Sequence, residues 1–244
     1  IVMHLVNVLF STLSVLGLYL FTKKFFNKQI ALFSILLTLL NPFFFGHMGM
    51  NSKDIIVFFG FVWFCYYFYL YCTENKNVFK NLILFSFFIG FGCGVRLALL
   101  MAILPVVLTG LYYLIKKYKT NYYSLVKRLS LHIPLAFFFC LFLVVLCWPH
   151  VIVEINKNNF FEVFSTVINN TLSLKGGPKL GLINGEFYET LNTPRSYFLN
   201  ILLYRIPIYF SFLILATYFL MIFKKLNYEN EIKNFNKIFY LTNI

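Results

Sequence analysis

One polar island interrupts an otherwise apolar chain: Asn41-Pro42-Phe43-Phe44-Phe45-Gly46-His47-Met48-Gly49-Met50-Asn51-Ser52-Lys53-Asp54. It holds the only Asp in 244 residues, directly after a Lys and seven residues after a His. A carboxylate, an ammonium and an imidazole at this spacing can move a proton, hold a phosphate or ligate a metal ion. A chain with 12% charged residues that sets such groups where two apolar runs meet is building a polar site at a membrane surface. Each residue also has a plainer role: Asp54 as a helix cap, Lys53 as an interfacial lysine with its stem in lipid, His47 as a structural hydrogen-bonder.

Composition sets the class of protein that must position these groups. Hydrophobic residues make up 60% of the chain, aromatic residues 21%, and the mean hydropathy is +0.78. The apolar residues come in long unbroken runs instead of amphipathic stripes, so the expected fold is all-α, a polytopic transmembrane helical bundle. A net charge of +13 raises the question of nucleic acid, but the basic residues sit in short clusters between apolar runs, as cytoplasmic loops do. Nucleic acid is excluded as a partner on that ground, and membrane lipid is expected. The five cysteines, at 65, 72, 93, 140 and 147, lie inside or at the ends of apolar runs without CxxC or Cys/His spacing, and read as small span residues.

Taken in order, the chain predicts about seven spans and a long extramembrane loop. The first runs from about Ile1 to Phe21 and closes on Lys23, Lys24 and Lys28. The second, Gln29 to Leu40, returns to the island, treated as an outer loop over 41–54 in which Pro42, Gly46 and Gly49 end regular helix. Asp54 opens a third span to about Tyr71, where an acid suits the positive end of the helix dipole. Leu82 to Ile115 is too long for one straight span and is interrupted at Gly90-Phe91-Gly92-Cys93-Gly94-Val95-Arg96, which predicts two short helices with Arg96 near the turn, the alternative being one kinked helix with an interfacial segment. The glycines there also suit close helix packing. After a basic loop over 116–128 comes a span from Leu129 to Cys147, closed by Trp148-Pro149-His150. Residues 148–200 read as a long outer loop with some short interfacial helix, and a last span runs from Ile201 to Phe223. All of this belongs to one transmembrane domain over 1–244. Residue 1 lies within an apolar run without an initiator Met, and Ile238 to Ile244 opens another, so the chain reads as an internal piece of a longer protein.

Sidedness follows from charge. The loops at 23–28, 76–80, 116–128 and 224–237 hold 14 of the 21 Lys and Arg residues, which makes them cytoplasmic. The opposite face then receives His47, Lys53, Asp54, Arg96, His150 and the loop to residue 200. His4 and His132 are expected to be structural. Two functional classes remain open: a membrane enzyme, or a transporter or lipid-binding subunit whose polar island lines a path. No internal repeat supports transport.

The motifs carry a resemblance. Asn41-Pro42-Phe43-Phe44-Phe45-Gly46-His47 followed by Asn51-Ser52-Lys53-Asp54 is similar to the second outer loop of bacterial family-39-type glycosyltransferases, relatives of the protein O-mannosyltransferases in the GT-C superfamily. That loop reads Pro-Arg-Phe-Phe-Gly-His-Ser and then Asn-Pro-Lys-Asp. The Gly-rich break ending in Arg96 also agrees, as does the order Trp148-Pro149, Asn184-Gly185 and Thr193-Pro194-Arg195-Ser196-Tyr197-Phe198. Phe43 departs from the family's Arg, and Ser52 from its Pro. These enzymes also carry an acidic first outer loop that supplies the general base; it is not in this sequence.

The resemblance implies a GT-C-like bundle in the bacterial inner membrane, active on its periplasmic face. It would transfer a sugar from a polyprenyl-phosphate donor to a protein, lipid or glycan acceptor. It makes Asp54 and His47 the catalytic candidates, with Asp54 orienting a neighbour, binding a metal or positioning the acceptor. Lys53 and Arg96 become partners for the donor phosphate, and His150, Glu186 and Arg195 possible acceptor-side or loop residues. No cofactor is implied beyond the lipid-linked sugar, although a divalent metal is compatible. If the sidedness is right, single cysteines replacing Ser52 and Gly177 will react with a membrane-impermeant thiol reagent from the same side; labelling from opposite sides would refute it.

Overall fold

The computed structural model describes residues 2–148 continuously and, beyond them, residues 180–183, 186–189 and isolated positions from 153 to 219. Residues Ile1–Pro149 form most of one compact unit, and His150–Asn227 form a second.

The first unit is helical throughout its described length. The helices are α1 (Val2–Phe25), α2 (Lys28–Leu40), α3 (Pro42–Met50), α4 (Ser52–Thr73), α5 (Val78–Val95), α6 (Leu99–Lys117) and α7 (Tyr122–Cys147). Among the described residues, α1, α4, α5, α6 and α7 are long and apolar enough to cross a membrane, and α2 with α3 makes a sixth candidate bent by 69°. The chain is therefore a polytopic membrane protein built as a helical bundle. The seventh expected span, 201–223, lies outside the described residues apart from isolated helical positions.

Asparagine punctuates this bundle. Asn27, Asn41, Asn51 and Asn121 cap α2, α3, α4 and α7, each accepting a backbone N–H from two or three residues ahead at 2.9 to 3.3 Å. The side-chain oxygen satisfies one of the donors that a helix start leaves without a partner. Asn77, before α5, takes the left-handed conformation at φ 57°, which asparagine tolerates better than most residues.

Two expectations about helix breakers need correction. Pro42 does not end a helix but begins one: it stands at the first position of α3, where its missing N–H costs nothing, and Gly46 and Gly49 lie within that helix. Likewise α5 continues through Gly90, Gly92 and Gly94 and stops only at Arg96, after which α6 starts at Leu99. Surrounded by hydrocarbon, a glycine that left the helix would strand backbone donors and acceptors without water, so the helix holds. The expected two-helix reading of 82–115 is otherwise correct, with Arg96 at the joint.

The central helix is α4, packed against α1, α5 and α6, while α7 packs on α5. Its buried side chains include Ile55, Phe59, Val62, Phe64, Phe68 and Cys72. The α5 glycines serve packing: a Cβ on Gly60 of α4 would lie 2.9 Å from the Phe88 carbonyl oxygen and 3.1 Å from the Gly92 Cα. Small residues allow this approach, and association of helices in lipid relies on it.

At the end of the bundle opposite Asp54, cations collect the carbonyls that end α4. Lys117 Nζ donates to the Cys72 and Thr73 carbonyls at 3.2 and 3.0 Å, and to Asn75 Oδ1 at 3.0 Å. Arg128 Nη2 donates to the Tyr71 carbonyl at 2.7 Å, and its guanidinium lies 4.3 Å from the Tyr71 ring centroid. Lys24 pairs with Glu74 at 2.9 Å, and His132 bonds the Tyr71 hydroxyl at 2.9 Å, a structural role as expected. Cations belong at the negative end of the α4 dipole, so part of the basic cluster holds the bundle together as well as marking its side.

The second unit contains a two-stranded antiparallel hairpin, β1 (Leu180–Ile183) and β2 (Glu186–Glu189), with Ile183 opposite Glu186. Part of the expected loop is thus strand.

Gly60→Leu will force α4 and α5 apart, costing about 1–3 kcal/mol as overpacking does. A thermal melt in detergent should show a lower midpoint, whereas Gly46→Ala, whose Cβ meets nothing within 4 Å, should leave the midpoint unchanged or raise it.

Candidate functional site

The polar island folds as a helix laid across the end of the bundle. Asn41 closes α2, with its backbone N–H on the Thr38 carbonyl, and opens α3 by accepting the Phe43 N–H. With Asn at the cap and Pro at the first position, the chain leaves α2 and re-enters helix at once on a new axis. His47 sits in the last turn of α3, its ring 4.2 Å from that of Phe43.

A single residue then joins α3 to α4. The Asn51 backbone N–H donates to the His47 carbonyl, closing α3. Its side-chain oxygen accepts the Asp54 N–H at 3.2 Å, opening α4. Its side-chain amide donates to Asp54 Oδ2 at 2.7 Å. Asp54 thus stands in the first turn of α4, where the helix dipole favours a negative charge, with its rotamer fixed by the residue that caps it.

Arg96 approaches from the other side. It is the last cap of α5, its N–H on the Gly92 carbonyl, and its own carbonyl accepts the Leu99 N–H that starts α6. Its Nη1 lies 2.7 Å from Asp54 Oδ1. A cation at the C-terminal end of one helix and an anion at the N-terminal end of its neighbour are each placed where the local dipole stabilises them. Trp148 braces this corner, donating from Nε1 to the Gly94 carbonyl at 2.6 Å.

His47 completes the cluster. Its Nδ1 is 3.6 Å from Asp54 Oδ2, a distance for an ion pair when the ring is protonated but too long for a hydrogen bond, and this buried atom has no hydrogen-bond partner. The side chains are accessible in rising order: His47 25%, Asp54 35%, Arg96 49%. Pairing charges this exposed adds little to stability, on the order of 1 kcal/mol or less. The arrangement instead presents an oriented guanidinium. A guanidinium has five N–H donors in a fixed fork, and the group bonded to Asp54 leaves the rest of the fork to engage an anion such as phosphate. Each Asp54 oxygen accepts from one partner, Oδ1 from Arg96 and Oδ2 from Asn51, which fixes the carboxylate against the guanidinium.

The structure gathers three of the expected residues, His47, Asp54 and Arg96, at one end of the bundle. Lys53 is exposed and makes no ion pair among the described residues, despite being adjacent to Asp54 in sequence. His150 and Arg195 lie outside the described residues, and Glu186 is placed only as the first residue of β2. Asn51 is the residue that sequence reasoning passed over. The signal was present, since Asn three residues before an acid at the start of an apolar run is a capping pattern.

Fold and site together define an integral membrane protein whose polar centre, a guanidinium braced by a carboxylate, lies where α3, α4 and α5 end or begin. Residues 1–148 match the family model of the dolichyl-phosphate-mannose-protein mannosyltransferases, and the chain belongs to that family. Membership makes it a membrane glycosyltransferase of mannosyltransferase type by family, one whose members draw on a lipid-linked sugar. The matched stretch ends at Trp148 and includes all three gathered residues. Comparison with curated proteins and with solved structures returned no match.

Asn51→Ala removes a cap and the Asp54 brace together. It should cost about 1 kcal/mol of stability, the usual value of a helix N-cap. Asn51→Asp keeps the capping oxygen but sets a second carboxylate against Asp54, so it should retain the cap yet displace Asp54 from Arg96. Melting curves and a structure of each variant test the two effects separately.

Proposed function

We propose that the chain transfers a sugar from a polyprenyl-phosphate donor to an acceptor hydroxyl on a protein, lipid or glycan, at the membrane face opposite its basic loops. The observation that carries this reading is the 2.7 Å contact between Arg96 and Asp54, which fixes a half-exposed guanidinium at the end of the bundle within the stretch matched by the family.

In such a transfer the bond between the sugar's anomeric carbon and the phosphate oxygen breaks, and the electron pair leaves with the phosphate. The acceptor oxygen forms the new bond and gives up its proton. Charge grows on the leaving phosphate, and a guanidinium oriented before the reaction stabilises it without reorganising. Arg96 is assigned that role, Asp54 the role of holding Arg96 in place, and His47 that of a second group on the same carboxylate. Lys53, exposed beside them, adds positive charge to attract the donor. The proton goes to the base that the family resemblance sets on an acidic outer loop, while Asp54, which already accepts from Asn51 and Arg96, holds the guanidinium. His150, Glu186 and Arg195 remain candidates for the acceptor side. A divalent cation would find His47 and Asp54 as ligands, with no third His, Cys, Asp or Glu grouped with them among the described residues and with Arg96 already on the carboxylate. The donor set therefore favours an anion. We place the protein in a bacterial inner membrane with the site on the periplasmic side, as the charge distribution and the family resemblance suggest.

The test is sugar transfer by the full-length protein from labelled polyprenyl-phosphate sugars. Asp54→Asn and Arg96→Ala should each lower turnover by about 100-fold or more, the usual loss when a preorganised charge-stabilising group is removed. Lys53→Ala should cost far less. Normal expression with unchanged turnover in both site variants would reject the assignment.

A further inference from the structure

Helix α3 has an unusual position for the carrier of a site residue. It is nine residues long and buries none of them, so apolar packing does little to fix it. A helix this short is marginal by itself in water, and its last carbonyls have no partner within the helix. Beyond the edge-on contact of Phe44 with Phe58 of α4, what holds it is polar. Both ends are asparagine caps, and one of the carbonyls in its last turn, that of Gly49, is claimed by two side chains of α1: the His4 ring bonds it through Nδ1, and Asn7 Nδ2 donates to it at 3.5 Å.

Asn7 is 3% exposed, in the second turn of α1, and it lies one turn from His4 on the same face, with the buried Ser11 and Ser14 continuing the line. Ser11 and Ser14 satisfy their hydroxyls within α1, on the carbonyls of Asn7 and Phe10. His4 and Asn7 instead reach out of their own helix to α3. Because a carbonyl only accepts, the contact requires a hydrogen on His4 Nδ1. Gly49 is two residues beyond His47 and two before Asn51, the residue that orients Asp54. The α1 pair therefore grips α3 between its imidazole and its joint with α4.

We infer that His4 and Asn7 are positioning residues for this site: by holding the Gly49 carbonyl they dock α3 on α1 and set where His47 stands against Asp54. Their effect on sugar transfer rests on the function proposed above, but the docking itself does not. It can be read without any turnover, through the reactivity of the His47 ring.

The experiment is carbethoxylation of histidine in the full-length protein by diethylpyrocarbonate, with rates for individual histidines from peptide mass spectrometry. His47 is three-quarters buried and should react slowly in the wild type. In His4→Ala with Asn7→Ala, its rate should rise about fivefold, the population change that one ordinary hydrogen bond sustains. His132, at the other end of the bundle, reports on general loosening and should keep its rate. His4→Asn, whose amide N–H stands where Nδ1–H does, should restore slow labelling of His47 in a chain that retains Asn7. A His47 rate unchanged in the double variant would overturn the inference, as would a rise shared equally by His132 or a failure of His4→Asn to rescue. If labelling behaves as expected while the wild type transfers no sugar, the docking stands and the functional reading falls. Where transfer is measurable, the double variant should lower turnover more than it weakens donor binding.

Discussion

The structure follows from one constraint: within hydrocarbon, every backbone donor and acceptor must be satisfied inside the chain. Helices cannot end there, so their ends, with the polar groups that satisfy them, are pushed to the two surfaces. This chain makes its ends do double service. At one surface Lys117, Arg128 and Lys24 gather around the last turn of α4 and hold it with hydrogen bonds and an ion pair. At the other, the caps of α3, α4 and α5 bring an imidazole, a carboxylate and a guanidinium together. The candidate site is thus assembled from residues that terminate helices, which explains how so few charges can produce it.

The division between the two ends shows how charge is used. At the basic end Lys117, Arg128 and Lys24 are spent on carbonyls, hydroxyls and a glutamate. At the opposite end Arg96 is only half covered and keeps donors in reserve, while His47 is drawn inward. One end braces the bundle and the other keeps donors for an anion.

Much of this was legible in the sequence. The span boundaries follow from apolar length, and the joint at Arg96 follows from a stretch too long for one crossing that is flanked on both sides by lysines. His47, Asp54 and Arg96 could be singled out because charge is scarce in an apolar chain. What could not be read was geometry. Pro42 and the glycines at 90, 92 and 94 look like breakers, but a proline at the first position is compatible with helix and a glycine in lipid is a packing device; only the neighbouring helices decide. Lys53 seemed inseparable from Asp54, yet adjacent residues on a helix point about 100° apart, so one turns inward and the other outward. The hairpin of β1 and β2 had its signal in Asn184-Gly185, the dipeptide most favoured between paired strands, which drew attention as a family motif instead.

The indole of Trp148 has a mechanical consequence. It follows the last residue of α7, and its N–H is fastened to the Gly94 carbonyl, two residues before the arginine. Any tension on the polypeptide as it leaves α7 is therefore delivered to the final turn of α5 and so to the angle at which the guanidinium is held. The end of α7 and the aim of the key cation are coupled through this indole hydrogen bond and through the packing of α7 on α5.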